Sequence, residues 1–366
     1  LRPYQVKGLS WLAFLDTLGL GACLADDMGL GKTIQLLALL ADERERVEEA
    51  VAAGVQAERP GPTLLAVPMS VVANWVHEAR RFTPKLRVLV HHGPDRALGD
   101  ALVQKAMQAD VVVTTYALVH RDREHLERIG WWRIVLDEAQ NIKNPSAKQT
   151  QAVHAIDAPR RIALTGTPVE NRLGELWSIM DFLNGGYLGS SGEFRRKFAV
   201  PVERYHDKHR AAQLRGLVQP FVLRRLKTDP AVISDLPEKV ESKEYCYLTP
   251  EQAQLYQACV ADMLGAADKA TGIQRKGLVL GGLIKLKQIC NHPAQFLKER
   301  GGDSDAPLGE GVGVAMPGRS GKCQRLIEML EEVLAAGDKA LVFTQFRQMG
   351  DLLAGMLRRA FDRPVL

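Results

Sequence analysis

Short apolar runs rich in Val, Ile and Leu recur along the first half of the chain and alternate with segments whose apolar residues follow a helical period. The runs cover residues 63–67, 86–90, 110–114, 133–137 and 161–165. Helices are predicted between them, for example over 71–82, with Ser70 as the N-cap, and over 146–156. This alternation predicts an α/β fold with a parallel sheet that is covered on both faces. Ligands of such sheets bind at the carboxyl ends of the strands.

The rest of the chain is predicted to be mainly helical. Residues 3–19 predict a helix with Val6, Leu9, Leu12 and Phe14 on or near one face. Residues 41–62, rich in Glu, Arg and Ala, predict a helix end and a surface connection. Beyond residue 186 the predicted elements are helices over 194–198, 210–218, 250–264, 276–289 and 320–334, a linker over 298–318, and a buried strand over 340–343.

A glycine-rich segment lies between an apolar run at residues 22–25 and an apolar-periodic stretch at 34–40. Its sequence over residues 24–33 is LADDMGLGKT. The order strand, loop, helix is the context of a phosphate-binding loop, where backbone N–H groups and the helix N-terminus point at phosphate oxygens. Lys32 is predicted to reach the β- and γ-phosphates, and the Thr33 hydroxyl to hold Mg²⁺. The predicted nucleotide-binding residues are Asp27, Met28, Gly29, Leu30, Gly31, Lys32 and Thr33.

Two further residues bear on this loop. The usual pattern G-x-x-x-x-G-K-[ST] has glycine where this chain has Asp26. Gln5, near the start of the first helix, carries an amide that can both donate and accept hydrogen bonds. It is therefore a candidate to bind the adenine edge of a nucleotide, and a solvated glutamine at the start of a helix is the alternative.

Two carboxylates, Asp137 and Glu138, emerge directly from the apolar run that begins at residue 133. Asp137 is predicted to complete the Mg²⁺ shell, and Glu138 to orient and deprotonate the attacking water. Gln140 follows them and is grouped with the predicted catalytic residues. The next strand ends in a polar, tightly turning segment that suits sensing of the γ-phosphate and coupling to a bound strand. The predicted coupling residues are Thr165, Gly166 and Thr167.

Length, charge and cysteine content indicate the general class of protein but do not identify its substrate. The chain has 366 residues and predicts two or three domains, and its net charge of +5 permits a polyanionic partner without requiring one. Its five cysteines are scattered, with no C-x-x-C pair, which favours a reducing compartment over a disulfide framework or a zinc site. No apolar run approaches the length of a membrane span, so no membrane partner is expected. Because the first residue is Leu1, the chain is expected to be a piece of a longer protein.

The motifs, taken together and in order, resemble those of the Swi/Snf-type ATPases of helicase superfamily two. Family members commonly carry two acidic residues where this chain has Asp26 and Asp27, and many have histidine in place of Gln140. The matching segments are LRPYQ at 1–5, DDMGLGKT at 26–33, DEAQ at 137–140, LTGTP at 164–168, FVLRR at 221–225, LKQICNHP at 286–293, SGK at 320–322 and KALVFTQF at 339–346.

The resemblance implies a two-lobed RecA-like motor that uses ATP and Mg²⁺ to move along double-stranded DNA and remodel a nucleoprotein complex. It implies a first lobe at 1–186, a helical protrusion at 187–297, a linker at 298–318 and the beginning of a second lobe at 319–366. A monomer is expected, in the bacterial cytoplasm at the nucleoid, or in the nucleus if the source is eukaryotic. The residues expected to contact the DNA backbone are Pro68, Met69, Ser70, Thr114, Thr115 and Tyr116.

Some of these assignments have alternatives. Trp75 matches the first DNA-tracking motif, but on an amphipathic helix it is more readily interpreted as a core residue. The basic clusters, Arg224 and Arg225 among them, are interpreted as solvated faces, with DNA contact as the alternative. At the level of function, a strand-separating helicase and a nucleotide-gated scaffold without turnover remain open. Motors of this superfamily complete the site with arginines from the second lobe, and no such motif precedes Leu366, so this chain is expected to bind nucleotide with little turnover.

Overall fold

The computed structural model describes residues 1–55, 61–166, 172–233, 241–268, 270–299, 316–361 and 365. Contacts between Cα atoms divide the chain into two compact units, Leu1–Pro237 and Glu238–Leu366. The boundaries expected at residues 186, 297 and 318 stay predictions. The strands within these ranges all lie in the first unit and are β1 (Ala22–Leu24), β2 (Thr63–Val67), β3 (Val88–Val90), β4 (Val111–Thr115), β5 (Arg133–Leu136), β6 (Arg160–Leu164) and β7 (Val222–Leu223).

Helices connect these strands. Those of the first unit are α1 (Pro3–Thr17), α2 (Lys32–Ala52), α3 (Val72–Phe82), α4 (Gly99–Gln108), α5 (Tyr116–Arg121), α6 (Arg123–Leu126), α7 (Lys148–Ala155), α8 (Leu173–Leu183), α9 (Ser191–Phe194), α10 (Val200–Tyr205) and α11 (Lys208–Val218).

The strands of the described part form one sheet in the order β3-β4-β2-β5-β6-β1-β7, and every neighbouring pair is parallel. Successive strand residues point to opposite faces, so Leu64 and Ala66 enter one core cluster while Leu65 and Val67 enter the other. One cluster includes apolar residues of α1, α2 and α3, and the other includes residues of α4 to α8. The predicted α/β fold with a parallel sheet covered on both faces is confirmed.

Two local predictions for the first unit are wrong. On α1, Val6 and Phe14 are 46% and 62% exposed, because the buried face runs through Tyr4, Gly8, Leu12 and Leu15 at spacings of four and three residues. Ser70 does not cap α3: it lies in a 3₁₀ turn, Met69–Val71, and α3 begins after Val71 without a side-chain cap. That turn places Met69 and Ser70 on the surface.

The second unit is helical in its described residues. Its helices are α12 (Pro250–Asp268), α13 (Gly272–Asn291), α14 (Pro293–Leu297), α15 (Gly321–Ala335) and α16 (Arg347–Phe361). The buried strand predicted over 340–343 is wrong, since Leu341 and Phe343 are 86% and 89% exposed. A strand needs a neighbour to satisfy its backbone, and the described part of this unit offers none. Most of the predicted linker, and Thr167, lie outside the described residues.

None of the helices in the described ranges combines the length and the apolar character needed to cross a membrane.

Candidate active site

The phosphate loop connects β1 to α2 at the carboxyl edge of the sheet, as predicted. Gly29 and Gly31 have φ angles of +92° and +78°, in the left-handed region that only glycine enters without strain. A Cβ atom on Gly31 would also lie 2.5 Å from Nε2 of Gln5. Lys32, the first residue of α2, donates from Nζ to the carbonyl oxygen of Asp26 at 2.7 Å. The loop therefore turns tightly around its own lysine, and the N-terminus of α2 faces the same edge.

Gln5 is part of this loop's support. Its Nε2 donates to the carbonyl oxygen of Leu30 at 3.2 Å, and its Oε1 accepts from the backbone N–H of Arg2 at 2.9 Å. The side chain is buried. The alternative of a solvated glutamine is therefore wrong. A glutamine amide has two donor hydrogens and two acceptor sites, so one of each is left for the adenine contact that was predicted.

Asp137 follows β5 and is held on three sides. Its Oδ2 accepts from the indole Nε1 of Trp75 at 2.7 Å, and its Oδ1 accepts from the backbone N–H of Glu138 at 2.9 Å. The hydroxyl of Tyr116 donates to the carbonyl oxygen of Asp137 at 2.6 Å. Burial raises the pKa of Asp137 above its usual value, and the hydrogen bond from Trp75 opposes that shift. The carboxylate is therefore oriented by a side chain of α3, and the backbone of the same residue is held by a side chain of α5.

Glu138 takes up a left-handed backbone conformation, with φ 48° and ψ 56°. Such angles are uncommon for a residue with a side chain, and they concentrate at functional sites. Oε2 of Glu138 accepts from Nε2 of Gln140 at 2.8 Å, and Oε1 of Gln140 accepts from the hydroxyl of Thr165 at 2.8 Å. A chain of hydrogen bonds thus connects the predicted base to the end of β6, where Gly166 follows. Gln140 is the middle member of that chain.

The two predicted DNA-contacting segments differ in exposure. Met69, Ser70 and the neighbouring Asn74 are exposed, whereas Pro68 is half-buried. Thr114, Thr115 and Tyr116 are buried, so the prediction that these three side chains contact DNA does not fit this structure. Thr114 Oγ1 donates to the carbonyl oxygen of His91, Thr115 Oγ1 accepts from the N–H of Leu118 and caps α5, and Tyr116 contacts Asp137. Trp75 is a core residue, as its helical position indicated, and it also contacts the site.

The two arginines that follow β7 contact the phosphate loop, where Arg225 is largely buried and Arg224 stays exposed to solvent. Arg224 donates to the carbonyl oxygens of Ala25 and Gly166, and Arg225 pairs with Asp26. Gln35 and Gly8, which the sequence analysis missed, complete the same contact. Gln35 could have been noticed as a buried-position amide within the apolar run of α2, whereas nothing in the local sequence around Gly8 points to it.

The oxygen donors at the carboxyl edge of the sheet suit Mg²⁺ bound partly by nucleotide phosphates, and they do not suit a metal bound by protein side chains alone. No group of three or more His, Cys, Asp or Glu side chains in the described ranges could hold a metal ion. Mg²⁺ is usually bound through one or two carboxylates together with substrate phosphates and water. Asp137 supplies one carboxylate and Thr33 a hydroxyl next to the phosphate loop, which is the set that such a site needs.

The chain was compared with protein families, curated proteins and solved structures. The SNF2-related domain matches residues 4–295. The chain is 44% identical over 365 residues to "Putative ATP-dependent helicase/translocase YwqA" of Bacillus subtilis, covering 100% of this chain and 37% of that protein. It is 33% identical over 358 residues to the "ISWI chromatin-remodeling complex ATPase ISW2" of Saccharomyces cerevisiae, covering 96% of this chain and 30% of that protein.

Among solved structures, the SWI2/SNF2 ATPase core of Sulfolobus solfataricus in complex with dsDNA is similar, with a TM-score of 0.60 and 43% identity. That match covers 99% of this chain and 70% of the other. The chain thus spans less than half the length of the two curated relatives but most of the solved ATPase core. The family match extends over well more than half of the residues and includes the phosphate loop, Asp137, Glu138 and Arg225, so this chain belongs to the SNF2-related domain family.

Proposed function

We propose that the protein is an ATP-driven motor that moves along double-stranded DNA and remodels or displaces bound proteins. One observation carries the proposal: side chains from both segments that resemble DNA-tracking motifs hydrogen-bond the predicted metal-binding residue Asp137, Trp75 at its carboxylate and Tyr116 at its backbone carbonyl oxygen. Trp75 lies one residue from the exposed Asn74, and Tyr116 directly follows Thr115. A shift of either segment on DNA binding would therefore move a residue that contacts Asp137 directly.

The chemistry follows from the residues at the carboxyl edge. Lys32, the loop N–H groups and the N-terminus of α2 bind the phosphates, and Gln5 binds the adenine edge. Asp137 and the Thr33 hydroxyl, together with the phosphates, would hold Mg²⁺, which when bound would neutralise charge on the transferring phosphoryl group. Glu138 orients the attacking water and accepts its proton. Through their hydrogen bonds, Gln140 and Thr165 couple the position of the Glu138 carboxylate to the segment that follows β6.

The DNA substrate is proposed from the family and from the surface of the site. The Sulfolobus core of similar sequence was solved with dsDNA. Hydroxyls, backbone N–H groups and helix ends grip phosphates without reading bases, so binding should be independent of sequence and should weaken steeply with salt. The exposed turn Met69–Val71 and Asn74 are the proposed contacts on the first unit. A strand-separating helicase and a scaffold without turnover are the competing functions.

The test is ATPase activity of the full-length protein without nucleic acid, with single-stranded DNA and with double-stranded DNA. We expect double-stranded DNA to stimulate turnover most, together with displacement of a triplex-forming strand and no separation of the duplex. Lys32→Ala should lose nucleotide binding, whereas Glu138→Gln should bind nucleotide and lose turnover, because Glu138 acts chiefly on the water. Stimulation by single strands with duplex unwinding would favour the helicase, and no turnover with any nucleic acid would favour the scaffold.

A further inference from the structure

Asp26 occupies the position where the usual phosphate-loop pattern has glycine, and its carboxylate is fully buried. Arg225 pairs with it: Nε donates to Oδ1 at 2.9 Å, and Nη2 donates to Oδ2. Gln35, also fully buried, donates from Nε2 to Oδ2 at 3.3 Å. A buried carboxylate is tolerated only when it is paired and hydrogen-bonded. Asp26 therefore depends on a residue 199 positions away in the chain.

Arg225 reaches four groups around this carboxylate. Besides Asp26, it donates to the carbonyl oxygen of Tyr4 and to Oε1 of Gln35, the latter at 2.7 Å, and its guanidinium lies 5.3 Å from the centre of the Tyr4 ring. A Cβ atom on Gly8 would lie 1.9 Å from Oε1 of Gln35 and 2.7 Å from Nη2 of Arg225. Glycine on α1 is therefore what leaves room for the pair.

The backbone after β7 runs beside the phosphate loop and parallel to it. β7 pairs with β1 in parallel, and beyond it the N–H groups of Ala25 and Asp27 donate to the carbonyl oxygens of Leu223 and Arg225, at 2.7 Å and 3.0 Å. The N–H of Lys227 donates to Oδ2 of Asp27 at 3.1 Å. Thus the first half of the loop is hydrogen-bonded along its length to residues 222–227.

We propose that Arg225 is a positioning residue of the nucleotide site, which acts on the phosphates through Asp26. Lys32 Nζ binds the carbonyl oxygen of Asp26, so any shift of Asp26 moves the anchor of the lysine that meets the phosphates. Without Arg225 the Asp26 carboxylate loses its counter-charge and is drawn toward water, and the loop loses the shape that presents its N–H groups. Nucleotide affinity is thereby set by residues 222–227 as well as by the loop itself. The inference rests on the proposed ATP site.

The experiment measures binding of a fluorescent ATP analogue to the 366-residue chain by anisotropy, alongside thermal unfolding. Arg225→Gln and Asp26→Asn should each weaken binding by about tenfold, and the double variant by less than the product of the two, because it leaves no charge unpaired. Arg225→Lys keeps the charge but not the forked donors, so it should recover part of the affinity. The matched control is Arg160→Gln, which removes a partly buried ion pair with Asp16 at the opposite end of the sheet.

The outcomes separate this inference from the proposed function. Arg160→Gln should lower the unfolding temperature and leave affinity unchanged, whereas Arg225→Gln should change affinity at temperatures where the protein is folded. Should Arg225→Gln not fold, Arg225→Lys and Asp26→Asn carry the same comparison. A chain that binds the analogue equally well in all variants overturns the positioning role alone. An unaltered chain that does not bind the analogue overturns the proposed nucleotide site, and this inference with it.

Discussion

Replacement of Trp75 by phenylalanine tests whether the hydrogen bond from Trp75 to Asp137 affects the affinity of the site for Mg²⁺. The substitution removes the indole N–H that lies 2.7 Å from Oδ2 of Asp137 and keeps an aromatic ring in the core. Asp137 would retain the backbone N–H of Glu138 on its other oxygen. With one donor fewer, the carboxylate is less well oriented and its pKa rises further, because the hydrogen bond from Trp75 lowers it.

The expected effect is large enough to measure. A hydrogen bond to a charged group contributes about 1.5–3 kcal/mol, which corresponds to roughly 10- to 100-fold in an equilibrium constant. Loss of a group that orients a metal ligand costs a similar factor, about 10–100-fold, in metal affinity or activity. We therefore expect Trp75→Phe to need at least about tenfold more Mg²⁺ to reach half-maximal binding of an ATP analogue.

The assay titrates Mg²⁺ into the chain with a fluorescent ATP analogue after treatment with a chelator. Trp131→Phe is the matched control, since Trp131 is equally buried but donates to the backbone carbonyl of Leu126, away from the site. Both variants should lose stability from the cavity that they create. If the two show the same Mg²⁺ midpoint as the unaltered chain, Trp75 is only a core residue and the reasoning fails.

Three further predictions concern other contacts. Gln140→Leu breaks the connection between Glu138 and Thr165 and should lower the stimulation by double-stranded DNA more than the basal ATPase rate of the full-length protein; equal loss of both rates would contradict this. Burial lowers the pKa of His91 and His154, so the unfolded chain takes up protons first as pH falls below about 6.5, and the free energy of unfolding should decrease there. Denaturant titrations between about pH 5.5 and 7.5 check this, and a flat profile would refute it. Arg133→Gln removes the buried partner of Glu43 and of Asp16, of which Asp16 keeps a second pair, with Arg160; it should cost about 3 kcal/mol of stability, with nucleotide affinity of the folded chain unchanged. Thermal unfolding measures the loss of stability, and binding of the ATP analogue measures the affinity.

The sequence predicted what depends on short-range pattern. Each strand of the sheet up to β6 lies within two residues of a predicted apolar run, because a buried parallel strand is apolar throughout. The phosphate loop, Asp137 and Glu138 could be proposed as site residues because each lies at the end of a predicted strand or directly after it. Because the carboxyl ends of parallel strands lie at one edge of the sheet, the fold class alone then predicts that these residues lie close together.

Long-range contacts could not be predicted in this way. Arg225 resembles any other basic residue along the chain, and its role depends on β7 pairing with β1 across about 200 residues. The predicted DNA residues Thr114 and Tyr116 were chosen for the chemistry of their side chains, but polar side chains at the end of a strand can equally be satisfied inside the protein. Helix α1 was assigned the wrong face because Gly8, with no side chain, marks its closest approach.

The position of β1 in the sheet has a consequence for how the protein is made. Within this sheet, β1 is synthesised before the other strands, yet its neighbours β6 and β7 are the last two. At translation rates of about 5–20 residues per second, roughly 10–40 s separate Leu24 from Lys227. During that interval the nascent chain carries β1 and the phosphate loop without the two strands that flank β1. The counter-ion of Asp26 is supplied only when Arg225 emerges, so a ribosome that stalls between β6 and β7 holds a chain in which Asp26 has no Arg225 to pair with.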